Sequence, residues 1–231
     1  MAPWLLLAGG GALLSPLGGR LGIQDSEASL PVALAGQGVA PAVLGGFRAM
    51  AADVLWLRTN LAWERRDAAA TEALLRATVA ADGRAVYFRL NGARMLAYDF
   101  PAWRTPPDAP AAVRARHAAG HAERALAFLD EGMASHGPDA DSFIEMARIC
   151  QQQPGDLPRA AGYYRQAAEL PGAPYFAGRL HVELLVRTGG VREARDWLRG
   201  WLPRLPADDP AAERARMAAR LAELEQMVPA P

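Results

Sequence analysis

Two stretches of this chain repeat one pattern, in which a glycine break is followed by an amphipathic helix that ends at a proline. The small residues at the centre of the two helices, Ala160 and Ala194, lie 34 positions apart. A constant period of this length indicates helical hairpins that stack along the chain. The matching positions at this period are Gly155 and Gly189 at the breaks, and Tyr164 and Leu198 one turn after the alanines. The prolines at the ends, Pro171 and Pro206, lie 35 positions apart.

The repeated residues have a direct structural meaning. A small residue lets a second helix approach closely, and glycine permits the turn that folds one helix back on the other. One such hairpin cannot bury its own apolar face, so neighbouring hairpins must share a core. We therefore predict an all-α fold, a right-handed α-solenoid of about four helical hairpins with a C-terminal capping helix. The alternative is a bundle of two unrelated helix pairs.

This helical domain is predicted to occupy residues 45–231. Its first helix carries apolar residues at spacings of three and four, which places them on one stripe. The stripe consists of Phe47, Met50, Val54, Leu57 and Leu61, and Trp56 and Trp63 widen it. We expect this helix to be buried on much of its circumference.

Several helix ends can be predicted from the residues there. Asp67 can cap the second helix, and Ser142 and Glu145 have the spacing of a capping box. The prolines within residues 100–110 should prevent a helix there, whereas residues 111–134 form one long helix. Asp209, followed by a proline, is expected to cap the final helix.

The N-terminus is predicted to be a signal sequence or membrane anchor over residues 1–22, followed by a linker over residues 23–44. Residues 2–18 are almost wholly apolar and end close to Arg20. A helix of this length reaches only about 25 Å, just short of the bilayer core. An apolar leader without a membrane role is the alternative.

The composition narrows the classes of function. The 25 basic and 25 acidic residues cancel, so no net field draws the chain to nucleic acid. Every basic residue is arginine, and most are interspersed with carboxylates, as on a solvated helix face. The single cysteine, Cys150, lies on the apolar face of a predicted helix, which favours a buried, unreactive thiol.

His117 and His121 are the strongest candidates for chemistry. They lie four positions apart on the long helix and share a face, so they could bind a metal with a third ligand such as Glu123 or Asp130. A metal-binding or enzymatic helical protein is therefore the alternative function. We favour two exposed histidines on a solvated face, and we predict no catalytic residue, no metal and no cofactor.

Residues 155–171 resemble the second half of a tetratricopeptide repeat at nearly every informative position. The order of segments from Gly45 to Pro206 also resembles a group of uncharacterised, membrane-anchored bacterial tetratricopeptide proteins. The resemblance implies a non-catalytic scaffold or assembly subunit that binds other proteins, held at the inner membrane with its repeats in the periplasm. A permanent structural subunit of a larger membrane complex is a further alternative.

The partner-binding residues follow from the expected stacking. In stacked hairpins the first helix of each pair lines the concave surface. Polar side chains on that surface can orient a peptide, or they can merely pair with each other, as Arg179 and Glu183 could. The predicted partner-binding residues are Arg89, Glu145, Gln152, Arg179 and Glu183.

Overall fold

The computed structural model describes the backbone of residues 39–228 and the side chains of residues 46–228. The predicted anchor over residues 1–22 lies outside this range, as does most of the predicted linker. The chain divides into two units, Met1–Arg48 and Ala49–Pro231.

The described residues form helices and turns without any strand, which confirms the all-α prediction. The helices are α1 (Val39–Glu64), α2 (Ala68–Ala81), α3 (Val86–Arg94), α4 (Phe100–Arg104), α5 (Ala111–His136), α6 (Ala140–Gln152), α7 (Leu157–Glu169), α8 (Phe176–Arg187), α9 (Val191–Trp201) and α10 (Arg214–Met227). A π-helical turn, Met95–Asp99, joins α3 to α4, and the 3₁₀ turns Leu202–Arg204 and Pro210–Ala212 lie between α9 and α10. Helix α1 begins at Val39, within the predicted linker.

Some predicted helix ends are confirmed and others are wrong. The Asp67 carboxylate caps α2 by accepting a hydrogen bond from the Ala70 N–H at 3.0 Å. Helix α6 is instead capped by Asp139, whose side chain accepts from the Ser142 N–H at 2.8 Å. The capping box at Ser142 and Glu145 is therefore wrong, because Asp139 already occupies the capping position three residues before Ser142.

Two predictions that were based on prolines are also wrong, namely the absence of a helix within residues 100–110 and the cap of the final helix at Asp209. Helix structure continues past Pro101 to the end of α4, because a proline is tolerated in the first turn of a helical segment, where its missing N–H is not needed. Asp209 caps the short 3₁₀ turn and not the last helix. Glu213 adopts a left-handed conformation with φ of 46° and separates that turn from α10.

The core runs along the chain, since α5, α6, α7, α8, α9 and α10 each pack on the next. Ala160 on α7 and Ala194 on α9 are fully buried, as the repeat pattern predicts. Gly178 on α8 leaves room for the indole of Trp201, because a Cβ at this position would collide with the ring. Small residues thus let the helices of this region pack closely.

The prediction that the first helix is buried on much of its circumference is wrong, because its five apolar residues at spacings of three and four are exposed. Their exposed fractions are 66% for Phe47, 62% for Met50, 48% for Val54, 64% for Leu57 and 51% for Leu61. The opposite face is turned inward, with Ala52, Thr59 and Ala62 buried. The two tryptophans lie on this inner side and decide which face of the helix packs.

Both tryptophans bind α1 to the helices that follow. The Trp56 ring lies 5.4 Å from the Phe88 ring, centroid to centroid. Trp63 packs against Trp103, and its indole N–H donates to Asp99 Oδ2 at 2.8 Å. Large aromatic side chains contribute more buried area than the aliphatic stripe. The face of α1 that carries the two tryptophans therefore packs against the domain.

We expect enlargement of either small core residue to destabilise the fold. Ala160→Leu and Ala194→Leu add volume to fully buried positions, and each should cost about 1 to 3 kcal/mol through overpacking. The free energy of unfolding from urea denaturation measures the effect. Ala73→Leu, on the exposed face of α2, is the control and should change it by less than about 0.5 kcal/mol. Equal stabilities for all three variants would contradict the packing described here.

Candidate functional site

Arg89 is the most deeply buried of the predicted partner-binding residues, with 2% of its surface exposed. Its guanidinium donates to the Gly83 carbonyl and to Asp139 Oδ2, both at 2.6 Å. Its stem lies against Gly132 of α5, where a Cβ would collide with Arg89 Cδ. Its contacts in the structure are therefore internal to the fold.

Glu145 is also buried, with 3% exposed, and lies beside two arginines. Its Oε2 accepts from Arg94 Nη2 at 2.7 Å and lies 3.7 Å from Arg148 Nη1. The hydrogen bond with Glu145 raises the pKa of Arg94, which keeps the guanidinium charged. Burial, followed by the charge of Glu145, raises the pKa of Tyr98 to about 12, so that phenol stays neutral. This ion-pair cluster links α3 and the π turn to α6.

Gln152 lies two helical turns beyond Glu145, at the end of α6, and its side chain is exposed. A different glutamine meets the neighbouring helix, since Gln151 Oε1 accepts from the Tyr164 hydroxyl of α7 at 3.0 Å. Gln152 thus remains at the surface, outside the ion-pair cluster.

Arg179 and Glu183 do not pair with each other, contrary to the pairing suggested by their spacing. Arg179 donates to the Ala211 carbonyl at 2.9 Å and lies 3.4 Å from Glu213 Oε1. Glu183 Oε2 accepts from Arg220 Nη2 at 2.8 Å. Both residues therefore link α8 to the C-terminal segment.

A cavity of about 610 Å³ lies where the connection between α7 and α8 meets the end of α9. Half-buried Tyr175 and Phe176 and buried Trp201 supply its aromatic lining. Arg179 forms part of the wall, and Arg204 is an exposed residue at the same site. The volume lies within the usual range for ligand sites, and an apolar lining with a few polar groups is typical of them.

The sequence does not predict this cavity, although Arg179 is among the predicted partner-binding residues. The lining residues come from three separate segments of the chain, so their proximity has no periodic signal. Only the turn between Pro171 and Pro174, rich in proline and glycine, indicates that the chain departs from regular structure here.

The two histidines of the metal hypothesis have different environments. His117 is exposed, as predicted, with Nδ1 2.9 Å from the Thr105 hydroxyl. His121 is 8% exposed and packs edge-on against Phe100, so the prediction that it lies on a solvated face is wrong. Burial, followed by the charge of Arg124, lowers the pKa of His121. Within residues 46–228 no group of three His, Cys, Asp or Glu side chains is arranged to hold a metal ion.

Two other titratable side chains, His181 and Cys150, are buried in the core. His181 is 2% exposed, its Nδ1 donates to the Ala161 carbonyl at 2.8 Å, and burial lowers its pKa. Cys150 is fully buried, and burial raises its pKa to about 11. The predicted burial of the cysteine is confirmed. The raised pKa keeps the thiol protonated at neutral pH, as expected of an unreactive cysteine.

No family model matches this chain, and no curated protein matches it in sequence. Between residues 39 and 228, no helix is both long enough and apolar enough to span a bilayer.

Removal of the Arg89 charge should destabilise the fold. Arg89→Leu leaves Asp139 and the Gly83 carbonyl without their partner, so we expect a loss of roughly 2 to 4 kcal/mol in the free energy of unfolding. Arg76→Leu breaks ion pairs on the surface and should cost less than about 1 kcal/mol. Comparable losses in urea denaturation of the two variants would contradict a structural role for Arg89.

Stability should fall as the pH is lowered, because the two buried histidines have lowered pKa values in the folded chain. An unfolded imidazole has a pKa of about 6.5, so the stabilisation is complete above this pH and is lost as the pH falls through it. Urea denaturation at several pH values from about 8 to 5 measures the decline. His181→Gln should make it shallower, because it removes one of the two groups that cause it. A decline of the same steepness in His181→Gln and the wild type would contradict the assignment.

Proposed function

We propose that this chain is a non-catalytic protein-interaction scaffold or assembly subunit, built as a right-handed solenoid of tetratricopeptide-like hairpins. The pairs α6–α7 and α8–α9 are the two best-formed hairpins, and α10 is the capping helix. The consecutive packing of the helices supports this proposal. So does the equivalence of the turns, since Gly155 and Gly189 both have a positive φ, 69° and 88°. A left-handed turn residue at matching positions is expected of a structural repeat.

The cavity beside Arg179 is the observation that carries the binding function. Its aromatic lining favours an apolar side chain of a partner. Glu169 also lines the cavity but pairs with Arg165 at 2.8 Å, whereas Arg204 makes no ion pair with residues 46–228. Arg179 is held in place by Ala211 and Glu213, so it can shape the wall without further ordering. The partner segment that fits therefore has an aromatic or aliphatic anchor with a carboxylate next to it.

The scaffold is held at a bacterial inner membrane, with the repeats in the periplasm. This part of the proposal depends on residues 1–22, whose apolar composition is that of a signal or anchor. The same cavity could serve a transient adaptor or a permanent subunit of a membrane complex, and the lifetime of the partner complex distinguishes them.

Photocrosslinking in the cells that naturally contain this protein tests whether the cavity holds a partner. Ala173 lines the cavity and is half-buried, so p-benzoylphenylalanine at this position should give one discrete adduct with another protein. Mass spectrometry of the adduct should identify a segment with an apolar anchor and Asp or Glu beside it. The same probe at Arg192, exposed and outside the cavity, is the control. An identical adduct from both positions, or none from Ala173, would refute the proposal.

A synthetic peptide of the crosslinked segment then tests the charge. Its affinity for Arg204→Glu should be on the order of tenfold weaker than for the wild type, because attraction becomes repulsion. Arg192→Glu makes the same change of charge away from the cavity and should bind as the wild type does. Equal affinities for all three proteins in isothermal titration calorimetry would remove Arg204 from the site.

A further inference from the structure

Helix α1 carries an apolar surface that the rest of the described chain leaves open. Four of its residues within the unit Ala49–Pro231 are exposed by 48% to 64%, and we call them the α1 stripe. They are Met50, Val54, Leu57 and Leu61. A contiguous apolar surface of this kind on a soluble domain commonly marks an interaction site.

The spacing of the α1 stripe is that of a coiled-coil seam. Successive residues are separated by four, three and four positions, the alternation of the a and d positions of a heptad. In this register Val54 and Leu61 occupy a, and Met50 and Leu57 occupy d. The pair Val54 and Leu57 has the β-branched a and leucine d that favour two strands. The stripe therefore has the pattern of one helix of a two-helix interface.

The body of the domain lies on the opposite side of the helix. In the same register, buried Ala52 and Thr59 are at f, the position that points away from a coiled-coil partner. Trp56, which packs on Phe88, is at c. A second helix can therefore approach the α1 stripe without meeting the domain that α1 belongs to.

The charges beside the stripe favour a second copy of this chain in the same direction. Asp53 is at g and Arg58 is at e, five positions later, and both side chains are exposed. In a parallel pair each g position faces the following e position of the other helix, so Asp53 would meet Arg58 of the partner subunit twice by symmetry. An antiparallel pair brings g near g and e near e, which would leave both ion pairs unmade.

We propose that two copies of this chain associate through the α1 stripe as a parallel, two-stranded coiled coil. The helix needs little further ordering on association, because Trp56 and Trp63 already fix it on the domain. A membrane surface is the less suitable occupant, since helices that lie on membranes carry basic residues along both edges of the apolar face, whereas this stripe has Arg58 on one edge and Asp53 on the other. The interface shares no residue with the cavity, so the dimer goes beyond the proposed scaffold function and is independent of it.

Disulfide trapping of the full chain tests the direction and register of the dimer. Leu57→Cys places a thiol at a d position, where two parallel, in-register copies bring their Cβ atoms together. Under mild oxidation we expect a covalent dimer of this variant on a non-reducing gel. Arg192→Cys, exposed and far along the chain from α1, is the control and should remain monomeric. The native Cys150 is fully buried and does not compete.

Charge reversal supplies the second test, in the Leu57→Cys background. Asp53→Arg and Arg58→Asp should each reduce the yield of covalent dimer roughly tenfold, because two attractive contacts become repulsive. The double variant Asp53→Arg/Arg58→Asp restores opposite charges and should recover the wild-type yield. Circular dichroism should show equal helicity in all variants, since both positions are exposed.

Every other outcome overturns the proposal. A covalent dimer yield at Leu57→Cys no higher than that of the control excludes a parallel pair. Single reversals without effect, or a double variant that does not recover, exclude the predicted pairing of Asp53 with Arg58. A monomer whose Leu57→Cys thiol resists maleimide would assign the stripe to another segment of the same chain, and an adduct with a different protein would assign it to that protein. None of these results bears on the cavity or on the scaffold function.

Discussion

The first half of the domain depends on the contacts that the buried guanidinium of Arg89 makes. The guanidinium joins the turn after α2, through the Gly83 carbonyl, to the start of α6, through Asp139. The glycine at Gly132 is needed for the stem to fit against α5. Burying a charge is costly, and here two hydrogen bonds, one of which is the ion pair with Asp139, offset the cost. Because Asp139 also caps α6, the same contact fixes where the next helix begins.

Most of the charged side chains that were predicted to face a partner make ion pairs with other residues of the chain instead. Glu145 is held by two arginines, Arg179 by the C-terminal segment and Glu183 by Arg220. These ion pairs connect segments far apart in sequence, although each pair contributes little to stability at the surface. In the proposed function, the groups available for recognition are those that make no ion pair within the fold, such as Arg204 beside the cavity.

Helix α1 shows how one amphipathic helix can serve two surfaces. Its aromatic side holds it on the domain through Trp56 and Trp63, while its aliphatic side remains open. If the stripe joins two copies, each dimer presents two cavities, and a partner with two suitable segments would bind with an effective concentration set by their spacing. The two proposed surfaces would then act together without sharing any contact.

The sequence by itself determined the features that depend on near neighbours along the chain. The all-α class, the cap at Asp67, the long helix α5 and the burial of Ala160 and Cys150 all follow from local periodicity and turn residues. Only the tertiary structure decided which face of α1 packs, that His121 is buried, and which segments form the cavity. These features depend on competition between residues distant in sequence, and a periodic pattern shows that a face is apolar without showing what covers it.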